Sequence, residues 1–375
     1  KLVKEKVKIP VAVVGGIMTP EEAEEILEDG CADAVVIGRQ LIADPWWVKK
    51  AWEGRSEDIV PCIRCMNCYN PYQYKTEEER RKHVGLNTVP CCSVNPRYLH
   101  EDRVPNELPE ASVKKKTVVV GGGPAGMQAA LTAARRGHQV ILLEREVGGQ
   151  LICSEYDEVK QDLKRLKDYL ILQVQKAEVE VRLNVTATPE MVKELSPDSL
   201  ILALGAYPIQ LNLPGTEKND HVFTCIEAYK YQEKIGENVV VIGGGSIGCE
   251  LGVELSRKGK QVTILEIEKV LNRTLNDIMK TALKTEMEKC RTLTVLTETR
   301  CVSIEEGFVT AASKDGEEFE IKADTIIFAA GMKARTDEAN TFFGIAQDTN
   351  IIGDANRVGT VWNAMEDGYY ISAGL

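Results

Sequence analysis

Two stretches of the chain repeat one another at a constant offset of 122 residues: VVVGGGPAGMQAALTAARRGHQVILLE (118–144) and VVIGGGSIGCELGVELSRKGKQVTILE (240–266). Each opens on an apolar run of strand type and passes through Gly-x-Gly-x-x-Gly into a helical pattern. Each closes on a second apolar run ending in an acid, Glu144 or Glu266, 23 residues beyond the first glycine. A lone glycine pattern is a common turn, but strand, helix and acid together point to a dinucleotide site. In such a unit the first glycine (Gly121, Gly243) makes the tight turn. The second (Gly123, Gly245) lets the backbone approach a pyrophosphate, and the third (Gly126, Gly248) lets helix and strand pack closely. The helix N-terminus, here Pro124-Ala125 or Ser246-Ile247, offers free N–H groups and a positive dipole end. The acid accepts hydrogen bonds from a ribose. Two copies predict two dinucleotides, most simply a flavin and a nicotinamide nucleotide.

At 375 residues the chain has room for two or three domains. Its net charge of −11 argues against nucleic acid or an anionic membrane, both of which want a clustered basic face. The densest basic run, VKKKT (113–117), flanks an apolar strand and reads as solvated. No apolar stretch reaches the roughly 18 residues of a membrane span, and no secretory signal opens the chain. Eleven cysteines without a disulfide-scaffold composition place it in a reducing compartment, the cytoplasm. The chain starts abruptly at Lys1, without an initiator methionine, as though continuing something longer.

Residues 1–58 read as β-α-β-α. Thr19, Pro20 and Glu22 predict a capped helix start, and Asp44-Pro45 predicts another. Two such units make about a quarter of a (β/α)₈ barrel. Residues 59–112 are polar and loop-rich, with 73–90 reading as an exposed insertion. Between the repeats, Leu163, Leu166, Leu170 and Val174 form one helical stripe, and SLILALGAYP reads as a strand. ADTIIFAAGM and TNIIGDANRVGTVWNAMEDG follow the second repeat.

Five cysteines crowd the linking segment: Cys62, Cys65 and Cys68 in PCIRCMNCYN, then Cys91 and Cys92 in PCCSVNP. Four thiolates suit an iron–sulfur cluster and equally a structural zinc, and local spacing does not choose between them. The other cysteines, Cys31, Cys153, Cys225, Cys249, Cys290 and Cys301, form no C-x-x-C pair and read as core or surface thiols.

GGQL (148–151), ALGAYP and IIGDA (351–355) resemble motifs of the two-dinucleotide-binding-domain flavoproteins, in which an NAD(P)H domain is inserted into a split FAD domain. With GGIMTPEEAEEIL, ADAVVIGRQLIADP and CSVNP before them, nearly the whole chain resembles the multidomain relatives of old yellow enzyme. That family includes 2,4-dienoyl-CoA reductase, clostridial enoate reductase, trimethylamine dehydrogenase and the bile-acid-inducible NADH:flavin oxidoreductases. The resemblance implies an α/β chain: the end of a TIM barrel (1–58), an iron–sulfur segment (59–112), a split FAD domain (113–212 and 335–375) and an NAD(H) domain (213–334). It implies FAD held by Gly121, Gly123, Pro124, Ala125, Gly126, Glu144, Gly149, Gln150, Gly205, Gly353 and Asp354. Arg145 beside Glu144 reads as solvated or stacked on adenine. NADH falls to Gly243, Gly245, Ser246, Ile247, Gly248, Glu266 and Gly331. Glu266 repels a 2′-phosphate and so favours NADH over NADPH. Gly15, Gly16, Gly38 and Arg39 would contact the phosphate of FMN. A [4Fe–4S] cluster would take Cys62, Cys65, Cys68 and Cys92, relaying single electrons between the flavins. The family spaces its first cysteines C-x₂-C-x₃-C; here the second gap is one residue shorter.

The implied activity is the electron-input half of an NADH-dependent reductase acting on an enoate, a dienoyl or another CoA-linked unsaturated substrate. The family's barrel acid, a tyrosine with a nearby histidine, would precede Lys1, so no catalytic residue is expected in this stretch. Of the four histidines, His83 falls in the basic insertion and His138 aligns with Lys260 at a turn, so both read as surface positions; none lies in the barrel part. An electron-transfer subunit like that of glutamate synthase is a second reading, weakened by the barrel segment. A structural zinc module on a partly inactive chain is a third. Assembly with identical copies is compatible with the first.

Overall fold

The computed structural model describes residues 1–69, 90–218 and 221–375. Within them the chain divides into two compact units. The first is Lys1–Ile152, Lys160–Gly205 and Thr336–Leu375; the second is Cys153–Val159 and Ala206–Arg335. The second therefore interrupts the first in sequence. It takes in Cys153–Val159 because Tyr229 Oη donates to Asp157 Oδ2 (3.4 Å) and Gln232 Nε2 to the Tyr156 carbonyl (2.8 Å).

The first unit is built on a five-stranded parallel sheet, in the order Asp348–Ile351, Ser199–Leu202, Lys116–Val120, Gln139–Leu143 and Glu180–Arg182. Its central strands are buried on both faces, as parallel strands covered by helices must be. The helix Gln161–Lys176 buries Leu166, Leu170 and Val174, the predicted stripe, in the same core as Ala129, Ala130 and Ala133 of the helix Pro124–Arg135. The last helix, Val361–Ala373, packs so closely on Pro124–Arg135 that a Cβ at Gly368 would lie 2.5 Å from the Ala125 carbonyl oxygen.

The second unit has its own parallel sheet, in the order Leu293–Leu296, Gln261–Leu265, Asn238–Ile242, Thr325–Phe328 and Val222–Thr224. An antiparallel meander, Thr299–Glu305, Phe308–Ser313 and Glu318–Lys322, adds a layer sharing a core with it through Ile304, Val309 and Phe328. The repeat is literal in three dimensions. Strand, helix and strand run Lys116–Val120, Pro124–Arg135 and Gln139–Leu143, then Asn238–Ile242, Ser246–Arg257 and Gln261–Leu265, all shifted by 122.

At the start of the chain, Ala12–Val14 and Ala34–Val36 form a two-stranded parallel sheet. Thr19, Pro20 and Glu22 make the expected capping box on the helix Pro20–Glu28. Asp44-Pro45 does not start a helix as expected. Asp44 ends the short helix Arg39–Ala43, and the next helix begins at Trp47. The Asp44 carboxylate is 2% exposed and instead accepts from Trp46 N (2.9 Å), Lys50 Nζ (2.6 Å) and Val60 N (2.8 Å). A buried acid with three donors organises two elements where sequence predicts one cap.

His138 also departs from expectation. It is 6% exposed, its Nδ1 accepts from Lys115 N at 3.0 Å, and burial holds its pKa below the usual histidine value. The segment before the first strand is tied to this turn, Ala111 N donating to the Arg136 carbonyl and Lys115 N to His138 itself. His83 and nearly all of the insertion predicted at 73–90 lie outside the described residues. No helix among the described residues is long and apolar enough to cross a membrane.

Candidate functional site

Each glycine loop leaves its strand through a backbone that only glycine tolerates. Gly121 has φ +107°, and a Cβ there would sit 2.2 Å from the Ala203 carbonyl oxygen; one at Gly126 would sit 1.8 Å from that of Gly121. The second loop repeats this: Gly243 has φ +118° with Ala329 O at 2.4 Å, and Gly248 faces Gly243 O at 2.0 Å. The middle glycines differ. A Cβ on Gly123 would find its nearest atom, Gly149 Cα, at 3.7 Å, and one on Gly245 nothing within 4 Å. The protein's own packing thus demands the first and third glycines and not the second. The second glycine leaves open space in front of a helix N-terminus.

The two acids are fixed by the loops they serve. Glu144 accepts from Gly122 N and from Arg145 N (2.6 Å). Glu266 accepts from Gly244 N (2.6 Å) and Glu268 N (2.8 Å). Each carboxylate is therefore held beside its loop at the end of the second strand. Arg145 is exposed.

Around the first loop, segments far apart in sequence converge. Gly148 N donates to the Gly122 carbonyl (2.8 Å), laying Gly149 against Gly123. Gln150 Nε2 donates to Asp354 Oδ2 at 3.0 Å, and Asp354 Oδ1 accepts from Gly359 N at 2.9 Å. Burial raises the Asp354 pKa, opposed by these donors. Gly353 N donates to Asp367 Oδ2 (2.9 Å), and a Cβ at Gly353 would lie 2.9 Å from Ala125 Cβ. The helix carrying Asp367 thus seats Gly353-Asp354 on the first loop's helix. Gly205 has φ +77° and open space at its Cβ position. In the second unit, Gly331 (φ +103°) follows the strand beside the second loop, and its carbonyl accepts from Ile209 N (2.9 Å).

Gly15-Gly16 and Gly38 follow the two short parallel strands at the same end, and a Cβ at any of the three would meet nothing within 4 Å. Arg39 points elsewhere. Its Nη1 donates to Met66 Sδ at 2.8 Å, and its side chain lines a pocket with Cys62, Cys65, Cys68 and Cys92. Cys91, the neighbour of Cys92, does not line it. Arg64 and Met66, between the cysteines, take left-handed backbone (φ 49° and 64°), which coils the loop around the pocket. Burial raises the thiol pKa values of Cys62 and Cys68 and pushes Cys92 up to about 12. Neighbouring thiols add to all three shifts, and the Arg39 charge opposes those of Cys62 and Cys68. Among the described residues, no three His, Cys, Asp or Glu side chains are arranged to hold a metal ion.

The residues that hold this loop carry no signature in a single sequence. Buried Gln40 donates to the Val60 carbonyl (2.8 Å) and accepts from Cys62 N (2.9 Å). Asn95 Nδ2 donates to the Ile42 carbonyl (2.7 Å), Cys65 Sγ meets Ser93 Oγ (3.1 Å), and Arg64 Nε pairs with Asp162 (2.5 Å). Gln40, Arg64, Ser93 and Asn95 all fall within the distinctive stretches of the sequence, but Asp162 does not, and nothing in the residues alone shows these pairings.

Residues 115–357 match the family described as pyridine nucleotide-disulphide oxidoreductase, and residues 1–104 match dihydrouridine synthase. An NADH oxidase of Thermoanaerobacter brockii is 40% identical over 99% of this chain and 56% of its own length. A cinnamate reductase of Clostridium sporogenes is 29% identical over 100% of this chain and 54% of its own. A solved structure of 2-naphthoyl-CoA reductase with 2-naphthoyl-CoA superposes with a TM-score of 0.89 at 29% identity, covering all of this chain and 55% of that one. The chain spans about half the length of the relatives it matches.

Proposed function

Because this chain belongs to the pyridine nucleotide-disulphide oxidoreductase family, we propose that it is the electron-input half of an NADH-dependent flavin and iron–sulfur oxidoreductase. When bound, FAD would accept hydride from NADH, and a [4Fe–4S] cluster would relay single electrons toward FMN for reduction of an enoate- or dienoyl-type double bond. The substrate class is suggested by the names of a cinnamate reductase and a 2-naphthoyl-CoA reductase among the relatives.

The chain's residues divide the work. In the domain we assign to FAD, Gly123 keeps the pyrophosphate cradle clear, and Pro124, Ala125 and Gly126 present the helix N-terminus. Gln150 and Asp354 bring a paired polar group to the same loop, Asp354 facing the ribityl chain. Gly149, Gly205 and Gly353 allow close backbone approach. In the domain we assign to NADH, Gly245, Ser246, Ile247 and Gly248 repeat the cradle, with Glu266 on the adenosine ribose and Gly331 beside it. Gly15, Gly16 and Gly38, with the backbone of Arg39, would supply part of an FMN phosphate site, while the Arg39 guanidinium faces the cysteine pocket.

The observation that carries the proposal is the gathering of Cys62, Cys65, Cys68 and Cys92 on one pocket in the unit that bears the first glycine loop. A metal centre bound there would deprotonate thiols that burial otherwise keeps protonated. The test is anaerobic purification with flavin, iron and zinc analysis, followed by assay with NADH against ferricyanide and against crotonate. Flavin bands with a broad visible shoulder, iron and ferricyanide reduction are expected, with no double-bond reduction. Stoichiometric zinc without iron would overturn the relay, and crotonate reduction at the ferricyanide rate would overturn the division of labour. The Cys92→Ser variant should lose the iron and Cys91→Ser should keep it.

A further inference from the structure

Two cations line the cysteine pocket, Arg39 and Arg64. By sequence Arg39 belongs to the Gly38-Arg39 pair expected at an FMN phosphate, yet its guanidinium faces the sulfurs. Among the described residues, its side-chain hydrogen bond is to Met66 Sδ, a weak acceptor. Arg64, on the same loop, shows the usual alternative, an ion pair with Asp162. Among the described residues, no carboxylate serves Arg39 in that way. A half-buried guanidinium is charged at every working pH, and its desolvation is unfavourable without an anion beside it.

Its backbone position is also fixed. Arg39 begins the short helix Arg39–Ala43, whose Gln40 bonds both Val60 and Cys62 and whose terminal Asp44 accepts from Val60 N. Helix and cysteine loop are thus tied together by buried hydrogen bonds, which hold the Arg39 backbone beside the pocket.

We propose that Arg39 is the charge-setting residue of the cysteine centre, stabilising its reduced form. This rests on the iron–sulfur reading above. Four thiolates around a [4Fe–4S] core make a net anion, and one electron, originating in NADH and arriving by way of FAD, raises that negative charge by one. A positive charge on the pocket wall favours the more negative form and so raises the reduction potential.

The test uses the 375-residue chain, purified anaerobically, as wild type and as Arg39→Met, Arg39→Gln and Arg39→Lys, with iron per chain and an EPR-monitored redox titration. The neutral variants should keep their iron and show a midpoint more negative by about 59 mV, a roughly tenfold lower ratio of reduced to oxidised centre at fixed potential. Arg39→Lys should stay near the wild type. A neutral variant with full iron and an unchanged midpoint overturns the proposal. Loss of iron from both neutral variants but not from Arg39→Lys supports a charge role, whereas loss from all three means the side chain only packs. A wild-type chain without iron refutes the cluster reading itself, before any substitution is compared.

Discussion

Gln150 Nε2 donates to Asp354 Oδ2 at 3.0 Å, across 204 residues of sequence, and the pair stands beside the first glycine loop. Neither side chain reaches the other by local structure. The pairing exists because Gly148 N binds the Gly122 carbonyl on one side and the last helix packs on the glycine-loop helix on the other. Burial of Asp354 raises its pKa, so its folded value exceeds its unfolded one. The sign follows directly. The neutral acid suits the folded protein, and the associated stability is present below the ordinary carboxyl pKa and lost as pH rises through the raised value. Asp354→Asn should therefore stabilise the flavin-free protein at pH 7 relative to pH 4, while weakening flavin binding roughly tenfold or more, the scale of a lost charged hydrogen bond. Melting temperatures at both pH values, beside a flavin titration, check the two halves separately.

The glycine loops separate folding from binding. Gly123→Val should fold with a near-native melting temperature, because its Cβ meets only an ordinary contact at 3.7 Å, yet lose its flavin on purification. Gly121→Val should fail differently, through a Cβ 2.2 Å from a carbonyl oxygen and a positive φ. Flavin retained in Gly123→Val would contradict the assignment of the cradle.

In the proposed reading nucleotide choice rests on Glu266, whose carboxylate is held by Gly244 N and Glu268 N. NADH should reduce the chain's flavin in preference to NADPH by roughly 1–3 kcal/mol in kcat/KM, the range for one close like charge in a partly solvated site. Glu266→Gln should narrow the gap. Stopped-flow traces that are equal for the two nucleotides in the wild type would remove that role.

His138 predicts an acid limit. Its burial lowers the folded pKa below the unfolded value, so its stabilising share is present above about pH 6.5 and falls away as pH drops through the depressed value. His138→Gln, whose Oε1 can still accept from Lys115 N, should flatten the melting temperature between pH 7 and pH 5 relative to the wild type. Parallel curves for the two proteins would show that the acid sensitivity lies elsewhere.

Much of the fold can be deduced from the residues alone because its signals are local. A strand, a Gly-x-Gly-x-x-Gly turn, a helix and an acid depend on neighbours within some 25 residues, and the offset of 122 carries through to the element boundaries. The Thr19 capping box and the Leu166–Leu170–Val174 stripe are local in the same sense. Tertiary structure decided what depends on burial and on contacts across long loops. Asp44 looks like a helix cap until three donors from separate segments surround it, and His138 looks like a surface turn until the segment carrying Ala111 and Lys115 is tied to it. Arg39 sits in a phosphate motif, but its guanidinium is turned by the coiling of a loop some 25 residues later, where Met66 and four thiols offer it a different environment. Periodicity and spacing encode which backbone a segment adopts. Which side of a buried boundary a charged side chain ends on is set by the whole chain at once, because the cost of desolvating it depends on every group that closes around it.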